Sequence, residues 1–506
     1  MRASFCLLAA ALLAAGASAQ TGVYRSTPPA ERDDSRPSAP APGVPSAPNL
    51  PDLGDSAQAD LTPQMERRIG EQIMREIRRD PAYVDDPEIR DYVQSTGWRL
   101  VAASGEKGQD FEFFVLRDRT VNAFAMPGGF IGVHTGLLLA AQTESEFAGV
   151  LGHEVAHVLQ RHAARQMEQQ SRISKMSLLA MALAVLAGRS NPQVAQAAIV
   201  AGQAAPAAVY LNYSREFERE ADRLGYQMLE GAGFDPAGMP GFFERLQKAT
   251  RLYENNAPTY LRTHPLNTER IADMQNRAAN APYRQRPDSA EFQLVRAKLR
   301  ATDGSPQEAV AFFRTAVAEK RFASEVAVHY GYALAAARAK DWKTAESEIA
   351  AARKLSPPHP MLETLAARIK VDSGDVAGAE KMLAGARIAF PDSLSIRLAY
   401  ADVLQRLGRN KEAVALLEDL VKGGTRDPRI YQQIAKSYAA LGQRTAQHRA
   451  LAESYLLLGS LPAAIEQLQF AQAAADTDFY TLSAIDARLR ELKAQQAQAA
   501  RERRQQ

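Results

Sequence analysis

The sequence predicts an α+β fold, mostly α: helices around a small sheet in the first half, then an α-solenoid in the second. Three observations carry this. Ala333, Ala367, Ala401 and Ala435 recur at a step of 34, and Gly374, Gly408 and Gly442, like Ala345, Ala379 and Ala413, keep the same step. Two short runs, Phe111–Val115 and Phe130–Val133, are aromatic and β-branched and read as strands. Elsewhere the apolar residues fall at helical spacing, as in Phe147, Val150, Leu151, Val155 and Val158. At 506 residues the chain exceeds what one hydrophobic core organises, so two or three domains are expected.

Residues 1–19 read as a cleaved export signal. Arg2 is the positive start, Phe5–Leu13 is an apolar run too short for a bilayer, and Ala17-Ser18-Ala19 is a cleavage site. The only cysteine, Cys6, lies inside that signal, so the mature chain has neither disulfide nor thiol nucleophile. These features suit the periplasm. Residues 20–60, rich in Pro, Ser and Ala, cannot bury enough surface to order themselves and form a linker. A formal charge of +3 gives no footprint for nucleic acid, and none is expected as a partner.

Residues 61–285 form the next domain. Helical spacing runs through Ile69, Ile73 and Ile77, and Pro127-Gly128-Gly129 marks a turn before the second strand. Thr143 with Glu146 three residues on predicts a capping box for the helix that follows. The apolar stretch 177–209 is broken by Arg189-Ser190-Asn191-Pro192. It reads as two buried, lid-like or interfacial helices rather than a membrane span, which leaves peripheral membrane contact open. The 34-residue period over 286–490, with glycines in turns and alanines where helices approach, is the tetratricopeptide pattern. The shorter 17-residue step from Gly442 to Gly459 predicts that the regular array ends there and less regular helices follow. Residues 491–506 are a charged tail.

The chemistry centres on His153-Glu154-Val155-Ala156-His157. Two histidines four apart lie on one helix face and can reach one Zn²⁺. A metal of this kind makes water acidic near neutrality, and Glu154 beside it can take the proton. Catalytic zinc needs a third protein ligand and an open position. His162 lies five residues past His157, about 140° round a continuous helix, and is poorly placed. In Ser214–Asp222 three glutamates compete. Glu218 shares a stripe with Asp222, Gly225 and Leu229, so Glu218 is read as the ligand and Asp222 as a carboxylate orienting a ligand histidine. The plainer alternative is a solvated face paired with Arg215, Arg219 and Arg223.

His153-Glu154-x-x-His157 followed by Glu218-x-x-x-Asp222 resembles the gluzincin metallopeptidases of the CaaX-prenyl-protease type. Asn122-Ala123-Phe124-Ala125-x-Pro127-Gly128-Gly129 and Thr135-Gly136-Leu137-Leu138 match the same family. The resemblance implies a zincin-type metallopeptidase domain with one Zn²⁺ per chain. It makes Gly129, Phe130, Ile131, Gly132 and Val133 an edge strand that holds substrate as an added strand. It also places His264, of His264-Pro265, near the metal, where it is read as a fourth, restraining ligand. Oxyanion stabilisation and a plain structural role remain open for it. With an export signal and a repeat array, the resemblance implies endopeptidase action on misassembled outer-membrane proteins. The array would contact those substrates or their assembly machinery. The alternative function is a tetratricopeptide chaperone or scaffold with a restrained protease site.

Overall fold

A computed structural model describes residues 62–106, 108–169, 215–251, 259–280 and 286–505. The expected signal, the linker and the apolar 177–209 stretch lie outside the described residues. The larger of two compact units takes Glu66–Ala163 and Asn212–Gln506. No helix among the described residues is long and apolar enough to cross a membrane.

Helix α1 (Pro63–Ile77) is followed by α2 (Pro87–Ser104). Asp86 starts α2 by accepting the Glu88 and Ile89 N–H groups, and Gly105, at φ 75°, ends it. Strands β1 (Glu112–Leu116), β2 (Ala123–Met126) and β3 (Phe130–His134) form one sheet in the order β1-β3-β2. β3 runs parallel to β1, with Phe113 opposite Ile131, and antiparallel to β2, with Phe124 opposite Gly132. The turn between β2 and β3 needs glycine. Gly128 and Gly129 have φ of 80° and 86°, and a Cβ on Gly129 would sit 2.0 Å from the Asp110 carbonyl oxygen.

This topology corrects one expectation. Gly129–Val133 is the central strand, hydrogen-bonded on both sides, and all five residues of β3 are buried. It has no free edge to offer a substrate. Among the described residues the free edge is β2, a four-residue strand to which the sequence reading assigned no element. Its outer groups are identifiable. His134 N–H donates to the Asn122 carbonyl, so by antiparallel alternation Phe124 and Met126 bond β3 and Ala123 and Ala125 face outward. The outer side of β1 is partly covered, since Val84 N–H donates to Val115 and Arg117 N–H to Ala82.

Helix α3 (Thr135–Ala140) leads into α4 (Glu144–Leu159), which is buried on every side through Val158. A helix buried all round lies at the centre of a core. The Thr143 hydroxyl caps it by accepting Glu146 N–H, but the expected reciprocal box does not form. The Glu146 carboxylate accepts Gln142 N–H instead and pairs with Arg245 at 2.7 Å. After a break at Gln160–Arg161 comes α5 (His162–Gln169); then follow α6 (Arg215–Gly231), α7 (Gly238–Arg251), α8 (Thr259–Thr263) and α9 (Thr268–Asn280).

The repeat array comprises α10 (Ala290–Thr302), α11 (Pro306–Ala318), α12 (Glu325–Arg338), α13 (Trp342–Leu355), α14 (Pro360–Asp372), α15 (Val376–Ala389), α16 (Leu394–Arg406), α17 (Asn410–Lys422), α18 (Pro428–Ala440), α19 (Arg444–Leu457), α20 (Leu461–Ala473) and α21 (Phe479–Gln505). The periodic alanines are all buried, and Gly374, Gly408 and Gly442 take the left-handed turn between helices. The 17-residue step is the distance from the α18–α19 turn to the α19–α20 turn, so another helix pair, α20 and α21, follows. Residues 491–505 continue α21. One apolar core runs from Val84 through Ile369, so the first repeat helices share it with the sheet and α4. Phe292 of α10 packs on Tyr92, which stacks on Phe147.

Candidate active site

Two glycines bring the site together. Gly152 of α4 and Gly225 of α6 face each other so closely that a Cβ on Gly225 would lie 3.0 Å from the His153 nitrogen. This approach sets the Glu218–Asp222 stripe of α6 against the histidine face of α4. His153 Nε2 and His157 Nε2 are 3.0 Å apart, and each lies 3.5 Å from a Glu218 carboxylate oxygen. α8 delivers the fourth group: His264 Nδ1 stands 3.3 Å from His153 Nε2 and 2.9 Å from Glu218 Oε1. Donor atoms of these four residues all lie within 4.8 Å of one another, and all four residues are buried.

The arrangement fits a divalent cation. Two imidazole nitrogens and a carboxylate converge on one point, as tetrahedral metal sites require. Charge argues the same way. Glu154, Glu218 and Asp222 are buried carboxylates gathered beside a single buried guanidinium among the described residues, Arg270, an excess of acidic groups that a bound cation would balance. The Glu154 carboxylate faces the Ala125 N–H and His264 Nε2, the latter 3.4 Å from Oε1, but among the described residues it accepts no hydrogen bond of good geometry. A buried carboxylate in that condition is costly unless water or substrate supplies the missing proton donors.

Residues 87–278 match peptidase family M48, and residues 370–437 match a tetratricopeptide repeat. The beta-barrel assembly-enhancing protease of Escherichia coli (strain K12) is 30% identical over 87% of this chain and 90% of its own. A Vibrio cholerae chain that carries the same name in provisional form is 32% identical over 91% of this chain and 95% of its own. The mitochondrial metalloendopeptidase OMA1 of Schizosaccharomyces pombe is 30% identical over 43% of this chain and 62% of its own. This chain belongs to the beta-barrel assembly-enhancing proteases of peptidase family M48. It is a metal-dependent endopeptidase with a tetratricopeptide array for protein interaction.

Within this M48 site the electrostatics follow from burial and pairing. Burial opposes a charge on His153, but contacts to Asp222 (Nδ1 to Oδ1, 3.0 Å) and to Glu218 outweigh it and push its pKa up to about 9. His157 is driven well below the usual histidine range, chiefly by burial. Burial also raises Glu154, partly offset by His264 and His153. Glu218 and Asp222 would rise on burial, yet the histidines hold Glu218 low, and Arg270 with His153 hold Asp222 low. Arg270 is the residue the sequence reading missed. From the first turn of α9 it donates to both Asp222 oxygens (2.7 and 2.8 Å), lies 2.7 Å from Glu218 Oε2, and donates to the Pro265 carbonyl. One guanidinium thus ties both α6 carboxylates to the segment that carries His264. No local motif announces an arginine 48 residues from its partner.

His162 is not among the four converging residues, but its contact with His157 was not foreseen. It is fully buried and its Nδ1 lies 2.8 Å from His157 Nδ1. The expectation assumed a continuous helix. Instead α4 ends at Leu159, Arg161 takes φ 49°, and a new helix starts at His162, so the angular count no longer applies. Tyr260 was also passed over. Its ring stacks on His264 with centroids 4.7 Å apart, and among the described residues its buried hydroxyl has no hydrogen-bond partner.

Proposed function

We propose that the metal is a single Zn²⁺ held by His153, His157 and Glu218, and that Glu154 is the general base. The observation that carries this reading is the convergence of those three groups beside a buried, unsatisfied carboxylate. When bound, zinc lowers the pKa of water toward neutrality and polarises a carbonyl. Glu154, raised by burial, takes a proton from the attacking water and hands it to the leaving amine. Asp222 orients His153 and is itself fixed by Arg270. His264 stands as a restraining fourth donor, with Nδ1 toward the ligands and Nε2 toward Glu154.

The substrate strand pairs with β2, not β3. The outward groups of Ala123 and Ala125 offer main-chain bonds to an extended peptide of almost any sequence, and β2 packs beside α4. Substrates are unfolded or misassembled outer-membrane proteins in the periplasm, reached by way of the signal at 1–19; the relatives' name and the export pattern support this. The array recruits them or their assembly machinery. A cleft of about 580 Å³ between α17, α18, α19 and α21, lined by Tyr431, Tyr438, Arg449, Glu453 and Arg488, suits a mixed apolar and charged segment. The second reading, a chaperone with a restrained protease, draws on the His264 position.

Metal analysis of the purified chain beside Glu218→Gln tests the ligand set: equal zinc content in both would sink it. For His264→Ala, faster proteolysis supports restraint, slower proteolysis supports oxyanion stabilisation, and an unchanged rate removes both roles.

A further inference from the structure

His162 and Glu220 lie behind His157, and the mechanism above uses neither. His162 Nε2 is 3.2 Å from Glu220 Oε2, and the ring stacks on Phe217 with centroids 4.5 Å apart and 9° between planes. Its Nδ1 is 2.8 Å from His157 Nδ1. One proton arrangement satisfies both of these nitrogen contacts. If His157 offers the lone pair on Nε2 to a metal, its proton sits on Nδ1. That N–H donates to His162 Nδ1, which therefore holds a lone pair. A neutral imidazole with a lone pair on Nδ1 carries its proton on Nε2, and that N–H donates to the Glu220 carboxylate.

We propose that Glu220 and His162 form a proton-ordered relay that holds His157 in its metal-binding tautomer and ring orientation. It rests on the reading that His157 binds metal. The relay is the counterpart of Asp222 and Arg270 behind His153, so each ligand histidine is oriented from its Nδ1 side. The opposite tautomer of His162 would put an N–H against the His157 N–H. The local chain is built for this contact. The α4–α5 break places a non-glycine residue, Arg161, at φ 49°, a left-handed conformation that L side chains disfavour. Arg161 is fixed there by Glu66, whose Oε1 accepts from Nη2 at 3.0 Å. That break turns the His162 ring back onto His157. His162 and Glu220 are positioning residues: they act through His157.

The test is zinc affinity of the full chain by chelator competition, with the visible spectrum of the cobalt-loaded protein, in wild type, His162→Leu, His162→Asn, Glu220→Leu and Glu220→Gln. Losing such an orienting partner weakens metal binding roughly 10- to 100-fold. His162→Leu is expected to fall in that range with a shifted cobalt spectrum. His162→Asn keeps an amide oxygen that can accept the His157 N–H and should recover most of the affinity. Glu220→Gln should lose less than Glu220→Leu. Wild-type affinity and spectrum in both leucine variants would overturn the relay, and so would an asparagine variant no better than leucine. If His162→Leu does not fold, the partly exposed Glu220 pair decides. A wild-type chain that binds neither zinc nor cobalt sinks the metal reading instead. In that case ¹⁵N chemical shifts of the His157 ring test the relay alone: the Nδ1–H tautomer must be present in wild type and lost in His162→Leu.

Discussion

Around α4 the deepest positions are held by ionisable groups: His153, Glu154, His157, Glu218 and Asp222 are each no more than 2% exposed. In the repeat array the same depth is held by alanine, at 333, 367, 401 and 435 and again at 345, 379 and 413. The first arrangement is expensive, because every buried charge needs partners from distant parts of the chain, and it exists for chemistry. The second needs only small side chains at a fixed period, and each helix pair contacts its neighbours. Substitutions in the two regions should therefore fail in different ways.

The largest effect is expected at Glu154. Glu154→Gln should lower peptide hydrolysis by at least 10²-fold while zinc content stays at the wild-type level; turnover near wild type would remove Glu154 as the base. Next comes Arg270→Met, which leaves Asp222 and Glu218 without their cation. A loss of about 3–5 kcal/mol is expected in urea unfolding. Ala401→Leu, an overpacking change in the array, should cost only about 1–3 kcal/mol and leave hydrolysis intact. If the array change proved the costlier of the two, the contrast between the regions would be wrong.

Where the array meets α2, Asp427 is buried between Arg90 (2.6 Å) and Arg429 (2.6 Å). Burial would raise its pKa, but the two guanidinium groups hold it at about 2, against an ordinary 3.8. A depressed carboxylate pKa stabilises the fold above the unfolded-state value, and that stability is lost as pH falls through the folded-state value. Asp427 should therefore contribute about 2 kcal/mol above pH 4, fading toward pH 2. Asp427→Asn should show that deficit at pH 7 and almost none near pH 2. Smallest are the turn positions. Gly408 has φ 74° with no atom near its missing Cβ, so Gly408→Ala should cost about 1 kcal/mol from backbone strain alone. Lys340, 34 residues before Gly374, holds the same turn at φ 61°, and Lys340→Gly should gain a similar amount in thermal unfolding.

The contrast also explains what could be read from sequence. The array was legible because its rule is local and repeats: a buried alanine and a turn glycine are visible at every step. Lys340 breaks the glycine pattern without breaking the fold, and so hid one repeat turn. The histidine pair and the Glu218 stripe were legible because helical spacing fixes which residues share a face. Arg270 and His162 were not. Arg270 finds its partners through tertiary folding, and His162 depends on a helix break that no glycine or proline marks. β3 was taken for an edge on the family resemblance alone; a strand's neighbours are set by sheet order, and β2, only four residues long, was assigned no element from sequence.

The apolar core that runs unbroken from Val84 to Ile369 makes the protein hard to take apart. A chain cut between α9 and α10 would strip Phe292 from Tyr92, and Ser289 from the Glu144 carboxylate that accepts its N–H and hydroxyl. The catalytic half would then present a bare greasy face to water. In modular terms the first repeats are not an accessory bolted onto an enzyme: a lineage that exchanged its array for another would have to redesign Tyr92 and Phe147 in the same event.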